Sequence, residues 1–363
     1  MNDLRAKILW WAAKRRIAKD GSKVIAVGGA IAKTSTKAAL GTALRLAYPG
    51  QVRVGYGNLN TYLGVPLSIL GFEIDFYDKK IGIGQWLTIL IKAIWRGLFV
   101  RLPKYLVLEY GTDGPGDIAA ITDQLPPDIG LITIVGPAHL ANYPLIDDMV
   151  KDEGYIAERT KSSGFVLVNS GDQYLTEHYN RAKARVVNVV CSLEEISVKF
   201  MQVFARELKI NESIIKQATE DFSAPARRFN YEKLGDITLL DDSYNASPLA
   251  VKAALHLLKK LPPKRVAILG SMLELGANSS AYHQEVGDEV KKIADTFIAV
   301  GADAKDYGAP IWYATSAEAA EKIVDHIGES DSVLVKGSKG VHMEIITAAI
   351  RKHYKREKNG SVH

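Results

Sequence analysis

Short apolar runs alternate with helical stretches along most of this chain. A first series of runs lies at 23–27, 105–111, 129–136 and 165–169, and a second series lies at 236–242, 265–270, 296–301 and 332–337. Each run is short, nearly continuous and rich in Val, Ile and Leu, which is typical of strands buried on both faces of a parallel sheet. The sequence therefore predicts an α/β protein with mainly parallel sheets covered by helices.

The two series predict two domains, which a length of 363 residues allows. We expect a basic amphipathic helix at 1–20, a central domain resembling P-loop ATPases at 21–225, a smaller Rossmann-like domain at 226–355, and a basic tail at 356–363. A helical segment at 193–220 precedes the expected boundary between the domains. Ligands of such sheets bind where the parallel strands end, so site residues are expected there.

Composition excludes several classes of function. Lys and Arg (46) exceed Asp and Glu (41) by only five, which does not suggest a nucleic-acid partner. Cys191 is the only cysteine, so a disulfide framework is excluded and a buried, inert thiol is expected. The first 19 residues lack the apolar core of a signal peptide. These features predict a cytoplasmic protein.

Two stretches combine basic and apolar residues. Residues 1–19 and 86–100 both read as basic amphipathic helices, and the second is interrupted by Lys92 and Arg96 and is too short to span a bilayer. Docking of these helices against the body of the protein is one interpretation. Weak contact with a membrane surface is the alternative.

A strand, a glycine-containing loop and a helix follow one another at 23–40, in the order of a phosphate-binding loop. In such a loop the backbone N–H groups bind phosphate oxygens, a lysine reaches the outer phosphates, and a hydroxyl binds Mg²⁺. The residues in these positions are Gly29, Ala30, Ile31, Ala32, Lys33, Thr34 and Ser35. Ala32 stands where a glycine is expected, which adds a Cβ at a position that can require positive φ.

Seven further motifs appear in order along the chain. They are GNLNTYLGVPLSIL (57–70), LEYGTDGPGDIAAI (108–121), IVGPAHL (134–140), LLDDSYNASPLAVKAAL (239–255), LGSMLELG (269–276), HQEVG (283–287) and VLVKGSKGVHME (333–344). Together with the phosphate loop, they resemble the Mur ligase family over roughly residues 20–350. The similarity is to the branch that joins D-alanyl-D-alanine to UDP-N-acetylmuramoyl-tripeptide.

This resemblance implies an ATP-dependent amide ligase of peptidoglycan precursor synthesis, with ATP and Mg²⁺ as cofactors. In that family a substrate carboxylate is phosphorylated to an acyl phosphate, which the incoming amine attacks, and ADP and phosphate leave. The implied substrates are small molecules, a UDP-muramoyl-peptide-like carboxylate and a dipeptide amine. Positive groups must offset the charge of ATP and the carboxylate.

The resemblance also implies metal ligands. Thr34 and Glu109 correspond to the residues that hold the Mg²⁺ between the β- and γ-phosphates, and His139 corresponds to a ligand of the second Mg²⁺. The family supports the second metal with a carbamylated lysine. That position aligns with Glu153, which as a native carboxylate could serve without modification, and Lys151 is the alternative.

Further residues follow from the same motifs. They correspond to nucleotide-binding residues (Arg228, with Arg227 as an alternative, Asp242 and Asn245), to the loop that faces the muramoyl-peptide (Asn58 and Asn60) and to the segment that faces the amine (Ser338 and Lys339).

The chain also departs from the family pattern. The family has an additional N-terminal domain that binds the uridine nucleotide, whereas only about 20 residues precede the first strand here. Three functions therefore stay open: the ligase described above, a ligase of the same chemistry acting on another carboxylate, and a catalytically silent protein that binds nucleotide or a partner. A partner could also supply the additional domain.

Overall fold

The chain folds into two compact units. The computed structural model describes residues 3–57, 59–74, 81–137, 140–143, 145–329 and 331–360, with the backbone alone for 356–360. The first unit comprises Met1–Gly136 and Asn142–Ser223, and the second comprises Pro137–Ala141 and Ala224–His363. Each unit is built around its own sheet.

The sheet of the first unit is entirely parallel. Its strands are β1 (Lys23–Gly28), β2 (Val52–Val54), β3 (Tyr105–Glu109), β4 (Ile129–Ile132), β5 (Phe165–Asn169) and β6 (Arg185–Val189). They lie in the order β2-β3-β1-β4-β5-β6. Strands β3, β4 and β5 are buried throughout, whereas the edge strands β2 and β6 are only partly buried. The edge strands therefore lack the continuous apolar runs that predicted the central ones.

Helices surround this sheet. They are α1 (Leu4–Asp20), α2 (Lys33–Ala47), α3 (Gly64–Ile69), α4 (Ile83–Phe99), α5 (Asp117–Gln124), α6 (Ile146–Glu153), α7 (Tyr155–Arg159), α8 (Leu175–Arg181), α9 (Ile196–Glu207) and α10 (Glu212–Asp221). Helix α1 packs against α4 and α3, so it belongs to the first unit. Across the described ranges, no helix has the length and apolar composition needed to cross a bilayer.

The helical segment predicted at about 193–220 consists of two helices, α9 and α10. The chain leaves α9 through Lys209, which has a left-handed φ of 56°. Helix α10 then begins at Glu212, and the side chain of its N-cap residue, Asn211, accepts a hydrogen bond from the Ser213 N–H at 2.8 Å. Asparagine is a favourable N-cap because its side-chain oxygen satisfies a free N–H of the first turn. The break is therefore encoded locally.

The sheet of the second unit is mainly parallel. Its strands are β7 (Asn230–Leu234), β8 (Ile237–Asp242), β9 (Arg265–Gly270), β10 (Thr296–Val300), β11 (Ile311–Tyr313) and β12 (Ser332–Lys336). They lie in the order β11-β10-β9-β12-β8-β7, and only the pair β7–β8 is antiparallel among the described strands. Apolar side chains of this sheet pack into a core on each face. The predicted α/β class with mainly parallel sheets is confirmed.

The helices of the second unit are α11 (Pro248–Lys260), α12 (Ser279–Val290), α13 (Ser316–Lys322) and α14 (Glu344–Gly360). Short 3₁₀ turns lie at Gly276–Asn278, Asp303–Tyr307, Ile323–His326 and Lys339–Val341. Helix α14 continues to Gly360, into the segment expected as a tail at 356–363. Residues 361–363 lie outside the described part of the chain.

Candidate functional site

The loop between β1 and α2 requires a glycine at position 29. Gly29 has a φ of 111°, in the region that favours glycine. A Cβ at this position would collide with Thr133 Oγ1 and lie 2.9 Å from the carbonyl oxygen of Ile134. The loop therefore passes directly against the chain that follows β4.

That contact holds the loop in place. The Ala30 N–H donates to the Ile134 carbonyl at 2.6 Å, and Thr133 Oγ1 donates to the Ile31 carbonyl at 2.6 Å. Ile31 and Thr133 are both buried. These bonds fix the loop before any ligand binds, which reduces the ordering that binding requires. The bracing role of Thr133 was not predicted from the sequence.

Ala32 has the positive φ at which glycine is preferred. Its φ is 61° and its ψ is 7°, immediately before α2 begins at Lys33. An L-residue with a Cβ is strained in this left-handed region. A glycine at position 32 would adopt this backbone conformation without that strain.

Replacing Ala32 with glycine should stabilise the chain. Relief of left-handed strain exceeds the added freedom of the unfolded chain, which gives a net gain of about 0.5–1 kcal/mol in the free energy of unfolding. Urea denaturation measures this, and phosphate release should equal or exceed that of the wild type. Ala38→Gly inside α2 is the matched control and should lose about 1 kcal/mol. A strong loss of nucleotide affinity in Ala32→Gly would contradict the assigned loop geometry.

Lys33 begins α2 and turns back over the loop. Its Nζ donates to the Gly29 carbonyl at 2.5 Å, and its side chain is half-buried. The first-turn N–H groups of a helix lack intrahelical acceptors and favour anions. Ser35 lies in this turn and is buried. The Lys33 side chain and the N-terminus of α2 therefore lie together at the loop, an arrangement that suits phosphate binding.

Glu109 is a buried carboxylate at the end of β3, and the side chains of Thr34, Asn60 and Lys37 are among its contacts. Thr34 Oγ1 donates to its Oε2 at 2.8 Å, and Asn60 Nδ2 donates to its Oε1 at 3.1 Å. Lys37 Nζ lies 3.3 Å from Oε2 and is itself buried. A buried carboxylate is costly unless a cation pairs with it, and Lys37 supplies that positive charge.

The pair formed by Thr34 and Glu109 fits Mg²⁺. Hydroxyl and carboxylate oxygens are donors that Mg²⁺ prefers, and it usually combines one or two carboxylates with substrate phosphates and water. Within the ranges that the structure describes, no group of three or more His, Cys, Asp or Glu side chains could hold a metal ion. His139 and Asn58, both predicted site residues, lie outside those ranges.

Glu153, at the end of α6, contacts the phosphate loop. The Gly29 N–H donates to its Oε2 at 2.8 Å, and the side chain is buried. Burial raises the pKa of Glu153, whereas the nearby Lys33 charge lowers it. Lys151 is exposed, and its backbone carbonyl accepts a bond from Arg181. Of the two alternatives, only Glu153 lies at the loop.

In the second unit, Asp242 lies at the end of β8 among cationic and backbone donors. The Phe229 N–H donates to its Oδ1 at 3.2 Å, and Lys336 Nζ donates to its Oδ2 at 2.5 Å. Lys336 also donates to the Asn245 carbonyl at 2.8 Å, while the Asn245 residue is exposed. Lys336 is the first lysine of the sequence KGSKG (336–340), within the motif at 333–344. Its contact with Asp242 was not predicted from the sequence.

Arg228 stacks on an aromatic ring in the same unit. Its guanidinium lies 4.0 Å from the centroid of the Tyr244 ring, whereas that of Arg227 lies 5.6 Å away and also pairs with Glu344. Burial raises the pKa of the Asp242 carboxyl, and the charge of Lys336 and, less strongly, that of Arg228 oppose this rise. Arg228 and Asp242 therefore belong to one charged cluster.

Ser338 and Lys339 follow β12. The Ser338 hydroxyl is buried, accepts from the Leu273 N–H at 2.8 Å and donates to the Ala246 carbonyl at 3.3 Å. It thereby ties the LGSMLELG and DDSYNASP segments together. Lys339 is half-buried at the start of a 3₁₀ turn. The contacts of Ser338 are those of a residue that positions neighbouring loops.

Two stretches of the chain match models of one protein family. Residues 97–225 match the Mur ligase middle domain, and residues 227–339 match the Mur ligase, glutamate ligase domain. Together they cover more than half of the chain. This chain belongs to the Mur ligase family. The resemblance drawn from its motifs is confirmed, and with it the class of enzyme, an ADP-forming ligase.

This Mur ligase is similar to a ligase of known sequence and to a solved structure, and each match covers most of both chains. It is 24% identical over 379 residues to the UDP-N-acetylmuramoyl-tripeptide–D-alanyl-D-alanine ligase of Escherichia coli (strain K12), over 92% of this chain and 77% of the relative. MurF from Acinetobacter baumannii is similar in structure, with a TM-score of 0.81, 24% identity, and coverage of 97% of this chain and 81% of that one.

A second solved structure shares the fold. MurF from Thermotoga maritima, in complex with ADP, has a TM-score of 0.81 and 20% identity, and the match covers 98% of this chain and 86% of that chain. At this identity the likeness establishes the common fold alone.

Proposed function

We propose that this Mur ligase uses ATP to join a dipeptide amine resembling D-Ala-D-Ala to the carboxylate of a UDP-muramoyl-peptide. The observation that carries the proposal is the braced loop 28–32, with Lys33 above it and the Thr34–Glu109 pair beside it. The activity named for the Escherichia coli relative is a second support. The reaction would form an acyl phosphate and then an amide, releasing ADP and phosphate.

The chain's own groups have distinct tasks in this reaction. Loop and helix N–H groups bind the phosphate oxygens, and the Lys33 ammonium offsets negative charge as it develops on the transferred group. Thr34 and Glu109 would hold Mg²⁺, which supplies further charge neutralisation when bound. Glu153, with His139, is proposed for the second metal, because its carboxylate already lies against the loop.

The remaining assignments rest on the family motifs. We propose that Arg228, Asp242 and Asn245 serve the nucleotide, that Asn58 and Asn60 serve the muramoyl-peptide, and that Ser338 and Lys339 serve the amine. For Asn60 the structure suggests a narrower task, since its amide donates to Glu109. It would then orient the carboxylate that holds the cation.

Phosphate release tests the proposal directly. The chain is incubated with ATP, Mg²⁺ and a matrix of UDP-muramoyl-peptides and dipeptides, and the amide product is identified by mass spectrometry. We expect release that requires both substrates together. Release with a carboxylate outside this class would favour the same chemistry on another substrate. Absence of release with every pair, from protein that binds ATP, would contradict ligase activity.

A further inference from the structure

One face of α4 is apolar and exposed. Its residues repeat every four positions, and their exposed fractions range from 56% to 92%: Ile83, Leu87, Ile91, Trp95 and Phe99. Residues spaced by four lie on one side of a helix, so these side chains form a single stripe. Contiguous exposed apolar surface of this kind marks an interaction site more often than chance exposure.

The opposite side of α4 is also apolar, because it packs on α1. Ile89, Ala93 and Gly97 are buried there. A Cβ on Gly97 would lie 2.7 Å from Ala12 Cβ, so the two helices approach closely. Packing inside the first unit therefore accounts for one side of α4 and leaves the exposed stripe unexplained.

Basic residues accompany the stripe. Between residues 81 and 104 the chain contains two lysines, two arginines and no acidic residue. Helix α1 exposes Lys7, Lys14, Arg15 and Lys19 together with Trp11, and it ends with its only acidic residue, Asp20, paired with Arg16 at 2.8 Å. The packed pair of helices thus presents apolar and cationic groups without exposed carboxylates within α1 or α4.

From these features we propose that α4 and α1 dock on the surface of a bilayer that contains anionic lipids. The stripe enters the boundary between headgroups and acyl chains, with the helix axis parallel to the surface, and the basic residues contact lipid phosphates. Trp11 and Trp95 have the amphipathic ring suited to that depth. The excess of exposed positive charge is what favours a lipid surface over an apolar protein partner.

Vesicle flotation tests this docking with the full chain. We expect the protein to float with vesicles of equimolar phosphatidylglycerol and phosphatidylcholine, to bind vesicles of phosphatidylcholine alone more weakly, and to lose affinity as salt increases. Failure to float with the anionic vesicles at low salt would overturn the proposal.

Variants distinguish the contribution of the apolar stripe to vesicle binding from that of surface charge in general. Ile91→Glu with Trp95→Glu should weaken binding at least about tenfold, because it removes two apolar anchors and adds negative charge. Val190→Glu, at a residue 80% exposed elsewhere in the first unit, is the matched control and should bind as the wild type does. Urea denaturation of each variant confirms that the fold is retained. Equal binding by the double variant would overturn the role of α4.

The basic residues need their own comparison. Lys14→Gln with Arg15→Gln should weaken binding to anionic vesicles by about fivefold for each charge removed. Lys259→Gln with Lys260→Gln, on α11 in the second unit, removes the same charge and should have little effect.

Analytical ultracentrifugation tests whether a second copy of this chain, and not a bilayer, covers α4. A wild-type dimer that Ile91→Glu converts to a monomer, without vesicle binding, would overturn the membrane proposal.

Discussion

Replacing Lys33 with alanine should strongly reduce phosphate release and change the stability of the chain only slightly. In the structure the ammonium donates to the Gly29 carbonyl. The net contribution of such a bond to folding is about 0.5–1.5 kcal/mol. During the reaction the same charge faces developing phosphate charge, and removal of one such group typically lowers the rate by about 100–1,000-fold. Initial rates of phosphate release and urea denaturation measure the two effects.

Lys23→Ala is the matched control for this variant. Lys23 is an exposed lysine at the opposite end of β1, so its loss changes the net charge equally without touching the loop. We expect full activity from it. Wild-type phosphate release from folded Lys33→Ala would refute ATP-dependent ligation at this loop.

The central strands were predictable from the sequence because burial on both faces leaves a continuous apolar run. Strands β1, β3, β4 and β5 carry that signal. The missed strands β2, β6, β7 and β11 are short or half-exposed, so their composition resembles that of loops. Their pairing with a neighbouring strand defines them, and pairing is not a local property of the sequence.

The phosphate loop was predictable for a different reason. The glycines, the lysine and the hydroxyl residues that form this loop are close together in the sequence, so a short motif is enough to recognise it. The groups that support the loop come from distant parts of the chain. Thr133 reaches Ile31, and Lys37 reaches Glu109, only because β4 and β3 flank β1. Their roles require the strand order.

The burial of Cys191, whose thiol was expected to be buried and inert, was only partly predictable from the apolar residues before it. Cys191 follows an apolar run, yet it is only half-buried, two residues beyond the end of the edge strand β6. Partial burial still raises the pKa of Cys191 to about 11. The thiolate that acts as a nucleophile is therefore scarce at neutral pH.

Glu153→Gln should lower the rate about 10–100-fold without preventing ATP binding, the range typical of groups that support a metal site. The amide keeps the size of the side chain and can still accept from the Gly29 N–H, but it loses the charge proposed to hold the second Mg²⁺. The wild-type rate should not depend on added bicarbonate, because a native glutamate needs no carbamylation. Lys151→Gln, at an exposed neighbour, is the control and should retain activity.

The stability of Glu153→Gln should also change with pH in a defined direction. Burial raises the pKa of Glu153 above its unfolded value, so the folded chain binds this proton more tightly. Its contribution to stability is present at low pH and is lost as the pH rises through the raised pKa. The variant should therefore gain stability relative to the wild type as the pH increases, while its activity stays low.

The bicarbonate experiment decides between Glu153 and Lys151. If the activity of the wild type rose with bicarbonate and were lost in Lys151→Gln, the metal-supporting role would belong to Lys151.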